Sequence, residues 1–238
     1  MEIKNLTFSF SNQSAAPLFQ NLNLKITPEK LTVFLGPSGC GKSTLLRIFA
    51  GLLEAKSEFF FNEQKKESFV FQDANLLPWL IGQKNIMLPI ELTSLRWDEN
   101  YFLEVIRLLK IEDCLLKYPA ELSGGQKMRI SIARALITKP EILFMDEPFS
   151  ALDEPTRLKL QDELLTIQKK FKMTILFVTH SFYEAAYLGD RILIFSSKKP
   201  TDFAYDQEIE RKFTSRFESE YQDKVQEISR YFEKEVAR

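Results

Sequence analysis

One short stretch, GPSGCGKST at residues 36–44, limits the possible folds more than any other part of the chain. It follows the apolar run LTVFL and precedes the helical pattern TLLRIFAGL, and its spacing is GxxxxGK[ST]. Glycines at these places let backbone N–H groups turn inward toward a phosphate, and the positive end of the next helix adds to the attraction. The stretch therefore predicts a phosphate-binding loop for a nucleoside triphosphate, made of Gly36, Pro37, Ser38, Gly39, Cys40, Gly41, Lys42, Ser43 and Thr44.

Three side chains of this loop have separate expected properties. The Lys42 ammonium would reach the β- and γ-phosphates, and the Ser43 hydroxyl would ligate Mg²⁺. Cys40 precedes the helix, and we expect the helix N-terminus to lower the pKa of its thiol.

The rest of the chain alternates short apolar runs with helical patterns. The runs are LTVFLG (31–36), SFVFQ (68–72), EILFMDE (141–147), TILFVTH (174–180) and RILIFSS (191–197). Near-continuous apolar runs suit strands that are covered on both faces, as in a parallel sheet. This alternation of strand and helix patterns predicts an α/β fold, a P-loop NTPase core with a mostly parallel sheet.

Two further regions do not follow this alternation of strand and helix patterns. The N-terminal runs EIKNLTFSF and NLNLKI alternate, which indicates a half-exposed antiparallel β subdomain. Residues at about 75–135 are mainly helical and are interpreted as an inserted helical subdomain. We expect residues 1–238 to form one nucleotide-binding domain.

The last segment predicts an amphipathic helix at about 206–238. Its apolar residues recur every three or four positions among charges: Ile209, Phe213, Phe217, Tyr221, Val225, Ile228, Phe232 and Val236. The stripe either covers the chain's own core or contacts a second copy or another protein.

Charge and apolar patterning narrow the class of protein. Lys and Arg number 32 against 33 Asp and Glu, so no overall bias favours nucleic acid or an anionic membrane. We find no signal-peptide pattern and no apolar run near the ~18 residues that a transmembrane helix needs. The two cysteines lack CxxC spacing, which is typical of a protein in a reducing cytosol.

Two carboxylates close the apolar run ILFMDEP at 142–148. In an open parallel sheet the carboxyl ends of the strands face the ligand crevice. Asp146 is therefore expected to help hold Mg²⁺, and Glu147 to polarise the attacking water. An acidic pair after a strand is usually a solvated turn, but a phosphate loop in the same chain favours the catalytic interpretation.

His180 and Gln72 also end apolar runs, and they are the next candidates for catalysis. His180 is the only histidine, and its ring N–H could meet a γ-phosphate at the same sheet edge. The Gln72 amide could contact Mg²⁺ and water. Taken alone, a histidine at a strand end is more often structural than functional, and the glutamine by itself would be unremarkable.

A second phosphate site is predicted at LSGGQ, residues 122–126. Glycine is a poor helix former, yet Gly124 and Gly125 begin a helical pattern. Ser123 is a good N-cap, so the glycines occupy the first turn and leave its N–H groups open to an anion. One chain thus carries two phosphate-binding elements but one catalytic set.

The order of these motifs resembles the nucleotide-binding subunit of ABC transporters over essentially the whole chain. LSGGQ matches that family's signature, and SALD (150–153) and VTH occur in the family's order. The resemblance implies a homodimer in which each ATP lies between one copy's phosphate loop and the other's signature. Ser123, Gly124, Gly125 and Gln126 would then serve the partner's nucleotide, and Asp153 would help join the two sites.

The family also places an aromatic residue under the adenine near the first strand. Phe10 matches that position, where tyrosine is frequent in the family. Phe8 lies on the same strand face and is the alternative, with the other ring in the core.

The segment VFQDANLLPWL (70–80) resembles importers of nitrate, sulfonate, taurine and related small substrates. That resemblance implies two transmembrane permease subunits that dock near Gln72–Trp79, an extracytoplasmic substrate-binding protein, and a peripheral location at the cytoplasmic face of the inner membrane. Leu77 and Trp79 suit a helix-in-groove contact, and burial in the helical subdomain is the alternative. The stretch between Gly51 and Gln72 is shorter than is usual in such importers, and its segment KSEFFFNEQKKE lacks their glycine-bearing turn.

Three functions fit these motifs. The first is the energising ATPase of an importer. The second is a non-transport ABC ATPase that acts on nucleic acid or ribosomes, and the third is a module that binds ATP without hydrolysing it. The absence of a long coiled coil, of a second cassette and of a basic face in the sequence disfavours the second, and Glu147 with His180 disfavours the third.

Overall fold

The computed structural model describes residues 1–10, 16–60, 66–93, 96–209 and 215–236. The chain divides into two compact units, residues 1–64 with 174–238 and residues 65–173, and each is described separately.

The described residues form the following strands and helices. The strands are β1 Glu2–Phe8, β2 Phe19–Lys25, β3 Leu31–Leu35, β4 Lys56–Phe60, β5 Glu67–Val70, β6 Ile142–Asp146, β7 Thr174–Thr179, β8 Arg191–Phe195 and β9 Phe203–Glu208. The helices are α1 Lys42–Phe49, α2 Gly82–Thr93, α3 Glu99–Leu109, α4 Gly124–Leu136, α5 Glu154–Phe171, α6 Phe182–Leu188 and α7 Ser219–Val236.

The first unit contains an antiparallel sheet in the order β2-β1-β4. Buried residues recur along β1 and β2 with one or two more exposed residues between them, because one face of this sheet packs on the core and the other meets water. The alternation predicted from the N-terminal sequence is therefore confirmed.

The same unit also contains the strands that carry the phosphate loop. β3 pairs parallel with β7 and with β8, and β8 pairs antiparallel with β9. Every residue of β3 and β7 is buried, which explains their continuous apolar sequences.

The second unit pairs β5 with β6 in parallel and packs α2 and α3 against α4. The strand pairings of both units confirm the predicted α/β class with its mostly parallel core and antiparallel N-terminal sheet. α2, α3 and α4 lie within or next to the predicted helical range, but this unit also includes β5, β6 and α5. The boundaries of the helical subdomain and the single-domain division stay predictions.

The C-terminal prediction is wrong at its start, because residues 206–208 belong to the strand β9 rather than to a helix. β9 pairs with the edge of β8, and the Arg191 guanidinium donates to both carboxylate oxygens of Asp206 at 2.7 Å. Backbone pairing with β8 thus extends through residue 208, just before the apolar stripe begins at Ile209. Phe213 lies outside the described residues.

From Ser219 onward the predicted helix is present as α7. Tyr221, Val225 and Ile228 are buried, and α7 packs against α6, β8 and β9. The interpretation that this stripe covers the chain's own core is therefore confirmed for these three residues. None of the helices among the described residues is both long enough and apolar enough to cross a membrane.

Candidate functional site

The loop after β3 has the backbone shape that its glycines predict. Gly39 and Gly41 have φ of 79° and 105°, in the left-handed region that favours glycine. A Cβ atom on Gly36 would lie 2.9 Å from the Cys40 Sγ and 3.0 Å from the Phe195 Cβ, so the backbone lies too close to its neighbours for a side chain. The loop ends where α1 begins at Lys42.

The Lys42 side chain folds back onto this loop. It is only 5% exposed, and its Nζ donates to the carbonyl oxygens of Gly36 at 2.8 Å and Pro37 at 2.9 Å. These hydrogen bonds hold a positive charge inside the loop, as a phosphate-binding lysine requires.

The expected lowering of the Cys40 pKa is wrong. Burial raises the pKa of the Cys40 thiol, and this effect outweighs the opposing influence of the Lys42 ammonium. The side chain is 4% exposed, so desolvation disfavours the thiolate. Sequence reasoning also missed Thr201, whose hydroxyl donates to the Cys40 carbonyl at 3.0 Å and fixes the loop backbone.

His180 lies at the same strand end as the loop. β3 and β7 are neighbouring parallel strands, and Leu35 at the end of β3 is opposite Thr179 at the end of β7. The next residue along each strand is Gly36 in the first case and His180 in the second. Neighbouring strands are about 4.8 Å apart. The turn after β7 is fixed because the Thr179 hydroxyl donates to Glu184 and accepts from the Ser181 N–H, and His180 remains exposed.

The second unit carries the two carboxylates at the end of β6. Asp146 is 5% exposed. Glu147 has a φ of 47°, an uncommon conformation for a residue with a side chain and one that clusters at functional sites. The Ser150 N–H and hydroxyl hold this turn by donating to the Glu147 carbonyl at 3.2 and 2.9 Å.

Gln72 lies just beyond β5, which ends at Val70 and not at Gln72 as the sequence predicted. Its Nε2 donates to the Ser150 Oγ at 3.3 Å. Ser150 therefore connects the Gln72 amide to the backbone of Glu147. Sequence reasoning missed this role, although Ser150 begins the SALD motif that it had singled out.

At the start of α4, Ser123 is the N-cap as predicted. Its hydroxyl accepts from the Gln126 N–H at 3.3 Å, and the Gln126 Oε1 accepts from the Ser123 N–H at 3.0 Å. These two hydrogen bonds form a capping box, so Gln126 helps to stabilise the N-terminus of α4.

The two glycines of this helix start have different surroundings. Gly124 is exposed, and a Cβ atom there would meet nothing within 4 Å. Gly125 is buried, and its Cβ would lie 2.5 Å from the Thr156 Cγ2. Gly124 thus leaves an open helix N-terminus, while Gly125 is required by packing on α5.

Asp153 is the N-cap of α5. Its Oδ1 accepts from the Thr156 N–H at 3.1 Å, and hydrogen bonds from Thr156 lower the pKa of the Asp153 carboxyl. Thr156 therefore contacts both the LSGGQ and the SALD segments.

Near the first strand, the two phenylalanines differ in exposure. Phe8 is 9% exposed and Phe10 is 63% exposed, and their rings meet edge to face at 5.0 Å. Phe10 is the ring available for stacking on a ligand.

The first unit therefore brings the phosphate loop and His180 together, and the second brings together Gln72, Asp146 and Glu147. Within each unit the donor types suit the expected ligands: the backbone N–H groups of the loop and Lys42 suit phosphate, and the carboxylate of Asp146 suits Mg²⁺. The phosphate loop and the pair Asp146 and Glu147 are the elements of a nucleotide-hydrolysing protein. The start of α4, with its Ser123 cap and two glycines, adds a second element that can bind an anion.

Comparison with known families gives the class. Residues 19–150 match the family model described as ABC transporter. The chain belongs to this family, and it is an ATP-binding subunit with ATPase activity that uses ATP and Mg²⁺.

Two similar relatives carry the names of importer subunits. The chain is 38% identical over 206 residues to the aliphatic sulfonates import ATP-binding protein SsuB of Bacillus cereus, covering 83% of this chain and 82% of that protein. It is 40% identical over 188 residues to the protein of the same name in Bacillus subtilis, covering 76% and 73%.

Solved structures agree with the fold. A dimeric post-hydrolysis state of the ATP-binding cassette MJ0796 with ADP and Pi has a TM-score of 0.74 and 28% identity, covering 88% of this chain and 98% of that one. The cbiO1 protein of Clostridium perfringens, part of the ABC transporter complex cbiONQ, has a TM-score of 0.73 and 25% identity, covering 81% and 83%.

Proposed function

We propose that this chain is the ATP-hydrolysing subunit of an importer for a small substrate of the nitrate, sulfonate and taurine kind. Two copies pair head to tail around two MgATP and drive separate permease subunits. The names of the sulfonate-import relatives and the dimeric state of the similar cassette support this proposal.

The observation that carries the proposal is the open N-terminus of α4. Gly124 leaves space for an approaching anion, and the aligned helix N–H groups attract negative charge. The phosphate loop already supplies Lys42 for one triphosphate, so a second anion-binding element in the same chain suits the nucleotide of a facing copy.

Hydrolysis is assigned to residues of the phosphate loop and of the strand ends. Lys42 binds the β- and γ-phosphates, Glu147 polarises the attacking water, and His180 contacts the γ-phosphate. Ser43, Asp146 and Gln72 hold Mg²⁺, which when bound neutralises charge on the phosphate oxygens.

Recognition is shared across the pair. Phe10 stacks on the adenine, and its 63% exposure supports this assignment. Ser123 and Gly124 meet the partner's terminal phosphate, while Gln126 keeps the capping geometry that holds Ser123 in place. Asp153 links the two sites from the start of α5.

The permease subunits dock near Gln72–Trp79. Trp79 is 69% exposed, whereas Leu77 is half-buried and its N–H donates to Asn85, so Trp79 is the better anchor. The subunit lies at the cytoplasmic face of the inner membrane, and an extracytoplasmic binding protein supplies the substrate.

The test is purification of the tagged chain from membranes with identification of what accompanies it. We expect transmembrane subunits to accompany the parent and a Trp97→Ala control, and to be reduced with Trp79→Ala. Recovery with ribosomes or nucleic acid, or equal recovery of permease with Trp79→Ala, would contradict the proposal.

A further inference from the structure

Thr201 is a buried residue that holds the phosphate loop, although it belongs to none of the motifs described above. It lies in the segment 196–202, which joins β8 to β9, and it is almost completely buried. Its hydroxyl donates to the Cys40 carbonyl at 3.0 Å, and its N–H donates to the Leu18 carbonyl at 2.7 Å. One residue therefore fixes the phosphate loop to the chain just before β2.

The hydrogen bond from Thr201 determines which way the peptide between Cys40 and Gly41 faces. The Cys40 carbonyl is turned toward the buried Thr201 hydroxyl. In a trans peptide the carbonyl and the following N–H point in opposite directions, so the Gly41 N–H points away from Thr201 and the core. Gly41 has a φ of 105°, and glycine adopts positive and negative φ about equally readily. The glycine itself therefore does not hold this peptide in one orientation, and a hydrogen bond from outside the loop does.

The segment that carries Thr201 is itself fixed, which an anchor for the loop requires. The Ser196 N–H donates to the Asp202 carbonyl at 2.8 Å, and the Ser197 N–H donates to the Glu235 Oε2 at 3.1 Å. Glu235 is a buried residue of α7, and α7 packs against β8 and β9. The last helix thus supports the phosphate loop through the segment 196–202.

We infer that Thr201 is a positioning residue for ATP binding. Its hydroxyl holds the Cys40–Gly41 peptide so that the Gly41 N–H faces the phosphates, and Glu235 keeps the segment of Thr201 in place. This inference rests on the proposed assignment of residues 36–44 as the phosphate site. A loop whose N–H groups already face the anion needs little reorganisation on binding, which raises its affinity.

Loss of the hydroxyl would have a specific consequence for the loop. The Cys40 carbonyl would be left buried without this partner, which is unfavourable, and rotation of the peptide toward water would relieve the cost. That rotation turns the Gly41 N–H inward and presents a carbonyl oxygen, with its partial negative charge, to the phosphates.

The test separates the hydroxyl of Thr201 from its shape. Thr201→Val keeps the shape and removes the hydroxyl, whereas Thr201→Ser keeps the hydroxyl and removes a methyl group. Equilibrium titration with the magnesium complex of a fluorescent ATP analogue measures the affinity, and thermal unfolding checks that each variant folds. We expect Thr201→Val to bind about three- to tenfold more weakly and Thr201→Ser within about twofold of the parent, because one hydrogen bond to a charged phosphate is misdirected only in the first.

Thr174, at the start of β7, provides the matched control. It is a buried threonine of the same unit, and its hydroxyl accepts from the Glu29 N–H at 3.0 Å at the end of β7 remote from the phosphate loop. Thr174→Val should lower the melting temperature to a similar extent yet bind the analogue like the parent. Normal binding by Thr201→Val, with or without weakening in Thr201→Ser, would overturn the inference, as would equal weakening in Thr174→Val.

A second pair of variants leaves Thr201 intact and decides the question if Thr201→Val does not fold. Glu235→Ala removes the acceptor for the Ser197 N–H, whereas Glu235→Gln retains an oxygen that can accept. We expect Glu235→Ala to weaken binding and Glu235→Gln to bind like the parent, and equal affinity of the two would overturn the inference. Lys42→Ala tests the phosphate site separately. Normal binding by Lys42→Ala would count against the proposed site, whereas weak binding by Lys42→Ala alone would overturn only the role of Thr201.

Discussion

A Cβ atom on Gly125 would lie 2.5 Å from the Cγ2 methyl group of Thr156, which places the start of α4 in direct contact with the start of α5. The same helix start presents Gly124 to open space. Gly125 is therefore required for packing, whereas Gly124 leaves space at the helix start. Substituting each glycine alone distinguishes these two roles.

Gly125→Ala should destabilise the fold, because the added methyl group overpacks the contact with Thr156. Overpacking costs about 1–3 kcal/mol, partly offset by the better helix propensity of alanine. Gly124→Ala should leave the free energy of unfolding unchanged or slightly increased. Urea unfolding measures both, and Thr156→Ser, which removes the methyl group, should restore the stability of Gly125→Ala. Equal stability of the two alanine variants would disprove the contact.

Glu147→Gln should lower the ATPase rate by at least about 100-fold, since loss of a general base typically has an effect of that size. ATP should remain bound and hold two copies together, which gel filtration detects. Glu112→Gln, at an exposed position, is the control for loss of one charge and should keep full activity. A Glu147→Gln chain that stays monomeric under saturating ATP would contradict the paired arrangement.

Lys42→Ala should weaken ATP binding by about tenfold or more, because a charge-assisted hydrogen bond contributes about 1.5–3 kcal/mol. Equilibrium titration with a fluorescent ATP analogue measures the affinity. Lys30→Ala, in the exposed turn before β3, should bind ATP like the parent. Unchanged affinity in Lys42→Ala would show that the loop is not the phosphate site.

Cys40 should react slowly with iodoacetamide at pH 7. Burial raises the pKa of its thiol, so the thiolate fraction at neutral pH is lower than that of free cysteine and the rate should keep rising with pH beyond the point at which free cysteine levels off. A Cys114→Ser background leaves Cys40 as the sole cysteine. Alkylation at pH 7 as fast as that of free cysteine would mean that the thiol is not buried.

The strands that position the site could be predicted from sequence because they are buried along their whole length. β3, β6 and β7 match their predicted runs to within a residue or two, and the Ser123 cap marks the start of α4. β9 could not be predicted, because its pairing depends on the free edge of β8, a neighbour that the local pattern does not reveal.

Long-range hydrogen bonds explain most of what the sequence did not reveal about the site. Thr201 lies 161 positions from Cys40, and Glu235 lies 38 positions from Ser197, so no local pattern connects them. The Cys40 pKa was predicted in the wrong direction because a helix N-terminus is visible in sequence whereas burial is not.

The most direct test of shared sites is to mix two inactive variants. Lys42→Ala removes the lysine of the phosphate loop. Gly124→Asp places a negative charge where the partner's phosphates would bind, and an acidic residue is favourable at a helix N-terminus, so the variant should still fold. When equal amounts are combined, half of the pairs contain one copy of each variant. In such a pair one of the two sites is intact, because it joins the phosphate loop of the Gly124→Asp copy to the LSGGQ segment of the Lys42→Ala copy. About a quarter of all sites are then intact, so the mixture should recover about a quarter of the parent ATPase rate. A mixture as inactive as either variant alone would contradict the account.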